Sequence, residues 1–199
     1  MLPQILKDKN YILASSSPRR QFLLKEMGFD FSVLVRNVEE DYPARLTGAD
    51  IALYLCELKS KAFSDDELGP EDVLITADTI VWHQGKILGK PLDVEDAVHI
   101  LEQLSGSMHQ VFTGVCLRTK THQHSFYDVS EVWFKTMTRA QIQSYIHHCQ
   151  PFDKAGAYGV QEWIGYVAVE KIVGSFYNVM GFPTHRFYDE LEKFLTHEK

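Results

Sequence analysis

The stretch 12-ILASSSPRRQFLLKEMGF-29 decides the fold class. It opens with an apolar, β-prone run, passes through three successive hydroxyls and a proline, and continues as an amphipathic helix carrying Arg19 and Arg20. Ser17 before Pro18 reads as an N-cap with proline at the first helical position, and Gly28 stands where the helix should stop. A strand that runs straight into a helix is half of an α/β unit, and outward from it the alternation continues. Strand-like runs occupy residues 11–14, 31–35, 73–82, 110–118, 125–135 and 166–173. Helical periodicity covers about 18–27, 50–63, 94–104, 139–149 and 184–195. Asp93 precedes "VEDAVHILEQL" as an N-cap, and Thr138 with Gln141 three residues later makes a capping box. The stretch 111–135 reads as an antiparallel pair joined by a polar turn. The expected fold is a mixed α/β protein with a twisted central sheet flanked by helices, in one domain over 1–199, because no repeat, low-complexity tract or linker interrupts the chain.

Composition narrows the function. The 199 residues are 45% hydrophobic and 24% charged, as in a water-soluble globular chain, and the formal net charge is −7. That sign argues against a nucleic-acid partner, which needs a basic face to displace counterions. Any phosphate ligand must instead be held by a few cations gathered at one place. No apolar run approaches the roughly 18–20 residues of a spanning helix, and the N-terminal stretch has Lys and Asp where a signal peptide has its apolar centre. The expectation is a cytoplasmic protein with no membrane partner. Cys56, Cys116 and Cys149 are odd in number and lack C-x-x-C spacing, so they read as buried or idle thiols.

Four stretches carry chemistry. In the opening one, a helix starting at Pro18 points its unpaired N–H groups and positive dipole end at Ser15–Ser17, and Arg19 and Arg20 add forked donors suited to phosphate. A capped surface helix with two solvated arginines accounts for the same residues. In 73-VLITADTIVWHQGKILGKPL-92, Asp78 interrupts an apolar strand, where a carboxylate is costly unless paired, hydrogen-bonded or on a metal. Satisfying backbone N–H groups at the strand end is the plainer role. Lys90, on the constrained turn before Pro91, points either at the same centre or into solvent. In 36-RNVEEDYP-43 the acids Glu39, Glu40 and Asp41 form a wet loop, or one of them joins Asp78 as a hard oxygen ligand for Mg²⁺ alongside substrate phosphates. The glycine-punctuated 151-PFDKAGAYGVQEW-163 is either a plain connection or a loop over a ligand, with Lys154 for phosphate and Gln161 for a base edge. "HQH" at 122–124 and "HHC" at 147–149 read as exposed polar residues rather than a metal site, because the first lies in the hairpin turn and adjacent histidines on a helix diverge.

In order along the chain, "LASSSPRRQFLL", "VEED", "ADTIV", "ILGKP", "LSGSMHQVFTGV", "DKAGAYGVQ" and "GSFYNVMGFP" resemble the Maf family of nucleoside triphosphate pyrophosphatases, from about residue 11 to about 183. The resemblance implies an elongated, two-lobed, inosine-triphosphatase-like mixed α/β architecture with a cleft between the lobes, commonly as a homodimer. It also implies metal-assisted (Mg²⁺ or Mn²⁺) hydrolysis of a nucleoside triphosphate between the α and β phosphates. By the same resemblance Asp78 is the catalytic proton acceptor, and Glu40 is its acidic partner at the metal. Arg20, Lys59 of "ELKSKA" and Lys90 are phosphate-binding cations, assisted by Ser15 and Ser17. Arg19, Thr79 and Gln161 fall where substrate choice is made and match the branch acting on dTTP and UTP. The chain departs from the family pattern at Thr76, usually Gly, and at Gly89, often Glu in that branch. A pyrophosphatase of other nucleotide specificity and a nucleotide-sensing module without turnover are the competing functions.

Overall fold

A computed structural model describes residues 3–197. After the short helix α1 (Gln4–Lys7), the chain forms β1 (Asn10–Leu13), α2 (Pro18–Glu26), β2 (Phe31–Val33), α3 (Ala49–Lys61), β3 (Asp72–His83), β4 (Lys86–Leu88) and α4 (Val94–Leu104). It continues through β5 (Met108–Arg118), β6 (Gln123–Phe134), α5 (Arg139–Cys149), α6 (Trp163–Val167), β7 (Val169–Val173), α7 (Phe176–Met180) and α8 (Thr184–His197). The seven strands form one mixed sheet in the order β2-β1-β3-β5-β6-β7, with β4 on β3. β1 pairs in parallel with both β2 and β3, which is the signature of strand–helix–strand connections. β4 folds back antiparallel on β3, and β7 is antiparallel to β6. Four residues separate the neighbouring strands β5 and β6, too few for a parallel crossover, and the Thr119 N–H closes their turn on the His122 carbonyl at 2.9 Å. The mixed sheet and the five longer helices α2, α3, α4, α5 and α8 are those expected from the alternation in the sequence, whereas the short helices α1, α6 and α7 are additions to it.

The opening stretch folds as strand, turn and helix. α2 ends in a Schellman arrangement: Gly28, at φ +88°, donates to Lys25 O at 2.9 Å, and Phe29 donates to Leu24 O at 3.2 Å. Its start differs in one respect. Ser17 sits at the N-cap with Pro18 after it, but its hydroxyl makes no capping bond. Instead the Ser17 N–H is taken by Ser15 Oγ at 3.3 Å, so the turn is closed one residue upstream of α2. The caps at Asp93 and at Thr138/Gln141 form as the sequence dictates.

Several boundaries move by a residue or two, and two of the changes bear on the packing. β2 spans Phe31–Val33 rather than 31–35, although the Leu34 N–H still reaches Leu13 O. The strand expected over 166–173 begins as α6 and becomes β7 only at Val169. Ile164 and Ala168, four apart, are both fully buried while Tyr166 between them is 82% exposed, so the helical period wins over the alternating one.

By its internal contacts the chain falls into two compact units. The first comprises Met1–Asp78, Thr113–Asp128 and Gly181–Lys199; the second comprises Thr79–Phe112 and Val129–Met180. In the first, Tyr11, Phe29, Phe187 and Phe182 form a chain of tilted ring contacts, and Ala14, Phe63, Leu68 and Leu74 close a smaller apolar cluster. In the second, α4 and α5 pack over Val111, Val132 and Phe134 to make a larger core. No helix among the described residues is long and apolar enough to cross a membrane.

Candidate active site

Asp78 is the last residue of the first unit, on β3, and is almost fully buried. A carboxylate in that setting must be compensated. Lys59, in the last turn of α3, supplies the compensation: its Nζ stands 2.5 Å from Asp78 Oδ1 and 2.7 Å from Glu40 Oε1. One ammonium therefore sits between two carboxylates that are 38 positions apart in the chain. Glu40 comes from the loop after β2, and its side chain is 44% exposed, so this pair has a wet side and a dry side.

Arg20 approaches from α2. Its Nη1 donates to Ser15 Oγ at 3.2 Å and to the carbonyl of Ala77 at 2.8 Å, and its Nε donates to Gly181 O at 3.0 Å. Burial pushes the guanidinium's pKa down, and the charges of Asp78 and Glu40 push it back up. Ser15, Arg20, Glu40, Lys59 and Asp78 are thus brought together within one unit. Ser15 acts on Arg20 and on the Ser17 N–H, while Ser17 itself flanks the group. Arg19 is half-buried, and its charge acts against that of Arg20.

The donor set has a definite chemistry. Glu40 and Asp78 offer hard oxygens on either side of a position that already draws a cation, which suits a divalent ion whose shell is completed by phosphate oxygens. Among the described residues no group of three or more His, Cys, Asp or Glu forms a complete protein cage.

The remaining expected residues lie in the second unit. Thr79 follows Asp78 on β3 and is half-buried. Lys90 is exposed on the turn after β4, and the carbonyl of Gly89 before it accepts the Gly156 N–H at 3.0 Å. The Lys90 turn is thereby tied to the loop that carries Gln161. Gln161 Oε1 is buried and has no hydrogen-bond partner among the described residues.

Lys154, open in the sequence between a phosphate contact and a plain connection, is held by acids of its own loop. Its ammonium is buried and lies 2.6 Å from Asp153 Oδ1 and 3.1 Å from Glu162 Oε1. Glu162 also accepts a hydrogen bond from the Tyr145 hydroxyl, which in turn accepts the Gly159 N–H at 3.0 Å. This tyrosine was missed, and the signal was present, because a phenol on the buried face of α5 requires a partner.

The histidine clusters divide. His122 and His148 bond to nearby Thr121 Oγ1 and Ser144 O, whereas His124, half-buried, pairs with Glu190 Oε2 at 2.9 Å. Burial raises the thiol pKa of Cys56 and Cys116, which makes both poor nucleophiles.

A family model described as Maf-like protein matches residues 10–194. The chain belongs to the Maf family. It is 52% identical over 183 residues to a dTTP/UTP pyrophosphatase of Bacteroides thetaiotaomicron, covering 92% of this Maf chain and 94% of that one. A dTTP/UTP pyrophosphatase of Flavobacterium johnsoniae is 47% identical over 191 residues, covering 96% and 98% of the two. Among solved structures, the Ham1 protein of Staphylococcus aureus shares the Maf chain's fold with a TM-score of 0.51 at 15% identity, over 96% of this chain and 100% of that one.

Proposed function

We propose that this Maf chain hydrolyses dTTP and UTP to the nucleoside monophosphate and pyrophosphate. The observation that carries the reading is the seating of Lys59 between Asp78 and Glu40 with Arg20 beside them: a compact set of two anions and two cations inside a protein of net charge −7. A nucleoside triphosphate brings about four negative charges, and water attacks phosphorus only where that charge is neutralised and the nucleophile is aligned.

Glu40 and Asp78 would hold Mg²⁺ or Mn²⁺, which when bound supplies charge neutralisation at the phosphate oxygens. Asp78 accepts the proton of the attacking water as the new oxygen–phosphorus bond forms and the α–β anhydride bond breaks. Arg20, anchored by three acceptors, is held in a fixed orientation as a phosphate donor, and Ser15 and Ser17 shape the turn beneath it. Lys59 and Lys90 add ammonium groups for phosphate. Arg19, Thr79 and Gln161 select the base. The imide edge of uracil or thymine offers an N–H donor between two acceptors, and the unpartnered Gln161 Oε1 is an acceptor that such a donor satisfies.

The test is pyrophosphate release from a panel of nucleoside triphosphates with Mg²⁺ or Mn²⁺ present and then chelated. UTP and dTTP should be turned over fastest, and chelation should stop the reaction. Asp78→Asn should fold normally and lose turnover by orders of magnitude. Near-full activity of that variant would overturn the assignment, and binding of nucleotides without turnover by the parent chain would leave a sensing module instead.

A further inference from the structure

Helix α3 lies with its backbone unusually close to the sheet, and the contacts fall one per turn. Ala52, Cys56 and Ser60, spaced by four, form a buried stripe of small residues along it. Each has its carbonyl met by the sheet. Gly114 of β5 lies against Ala52, where a Cβ would stand 2.3 Å from the carbonyl oxygen. Arg118 of β5 donates from Nη1 to Ser60 O at 2.6 Å and from Nη2 to Phe63 O at 2.8 Å, capping the helix end. Between them, Thr76 of β3 donates from Oγ1 to Cys56 O at 2.6 Å.

Thr76 differs from the other two contacts in its strand. It stands two residues before Asp78, so the two side chains leave the same face of β3. Cys56 stands three residues before Lys59, one turn away on α3. Two rungs thus join the same pair of elements: Thr76 to Cys56, and Asp78 to Lys59. The Cys56 carbonyl lies inside α3, where the helix supplies its own bond, so the Thr76 hydroxyl does not complete the helix. What the bond adds is a fixed register of α3 on β3.

We propose that Thr76 is a positioning residue that sets where the Lys59 ammonium meets Asp78 and Glu40, and so tunes turnover; the proposal rests on the reading of that group as the reaction centre. The buried hydroxyl is otherwise a cost, since a valine fills the same volume without a polar atom.

Thr76→Val is the test. It leaves Cys56 O bonded within its helix and the Cys116 thiol, which also meets the Thr76 hydroxyl, with Ser125 and Ser60, so the chain should fold with at most a small loss of Tm. With UTP as substrate, kcat should fall about tenfold at nearly unchanged KM, and Thr76→Ser, which keeps the donor, should restore most of it. A Thr76→Val kcat within about twofold of the parent, or a loss that Thr76→Ser fails to rescue, overturns the proposal. Asp78→Asn is measured alongside. If it retains turnover, the reading of the centre itself has failed; if it is inactive while Thr76→Val is unimpaired, only the positioning role has.

Discussion

Lys59 holds the two halves of the site's charge together. With its Nζ bonded to Asp78 and Glu40, it is the counterion that makes a nearly buried carboxylate tolerable on β3. Removing it should expose the character of the remaining pair. In Lys59→Met the two carboxylates lose the ammonium between them and keep only the nearby Arg20 charge, so Tm should fall; Mn²⁺ should then raise Tm by more than it does in the parent chain, because no ammonium competes for the seat. Thermal melts with and without Mn²⁺ measure this, and an equal Mn²⁺ shift in both proteins would show that the two carboxylates do not share one cation. How legible was this group? Asp78 announced itself as a charge within an apolar strand. Its partners lie 19 and 38 positions upstream on other elements, and no local spacing encodes such a meeting. Residue chemistry offers Glu39, Glu40 and Asp41 together as partners of Asp78, and the resemblance of the ordered motifs to a family singles out Glu40 and adds Lys59. Lys154 is the converse case: spacing leaves it open between phosphate and a plain connection, because it does not say that Asp153 beside it and Glu162 eight residues on pair with its ammonium.

At the scale of elements, the segment from Lys154 to Glu162 is a built structure rather than a plain connection. Gly156, at φ +70°, packs against Val81, and Gly159 lets two side chains fold back over its own backbone. A Cβ at 159 would stand 2.8 Å from Glu162 Cδ and 2.9 Å from Gln161 Nε2. Gly159→Ala should therefore displace the Gln161 amide and strain the bond network of Tyr145, Glu162 and Lys154. If Gln161 reads the base, this methyl should lower the ratio of kcat/KM for UTP over GTP, as should Gln161→Glu; loss of affinity for both nucleotides alike would assign the segment a purely supporting role. The sequence made this segment visible as glycine-punctuated and polar but hid its order, because the holding groups come from the buried Tyr145 phenol of α5 and from the Gly89 carbonyl. The α3 stripe was hidden for a related reason: Ala52, Cys56 and Ser60 look like ordinary core spacing until Gly114, Thr76 and Arg118 of the sheet are placed against their carbonyls, the last two as donors.

For the whole molecule, the alternation of strand and helix was legible because each element carries its own stop and start, as at Gly28, Asp93 and Thr138. Where the pattern is short and apolar on two periods, as around Ile164–Ala168, tertiary burial decided. Stability as a function of pH also belongs to this scale, and His109 sets a clear expectation. It is 1% exposed, its Nε2 lies 2.7 Å from the Tyr158 hydroxyl, and its ring meets Phe134 and Tyr158 edge to face. Burial, with a smaller contribution from the charge of His83, lowers its pKa from 6.5 to about 3. The unfolded chain takes up a proton near 6.5, whereas the folded one resists it down to about 3, so between those values the unfolded state binds more protons. Stability therefore falls as pH drops through this window, by up to about 1.4 kcal/mol per pH unit from this group alone. His109→Phe keeps a ring in the cavity and removes the titration. It should cost some stability at neutral pH through the lost Tyr158 bond, yet its Tm should decline less steeply than the parent's on acidification from pH 6.5. The carboxylates held at low pKa, such as Glu190 beside His124 and Lys193, contribute to both curves and cancel in their difference. Parallel acid slopes for the two proteins would mean that His109 is protonated within the fold, and that its bond to Tyr158 is made by an imidazolium.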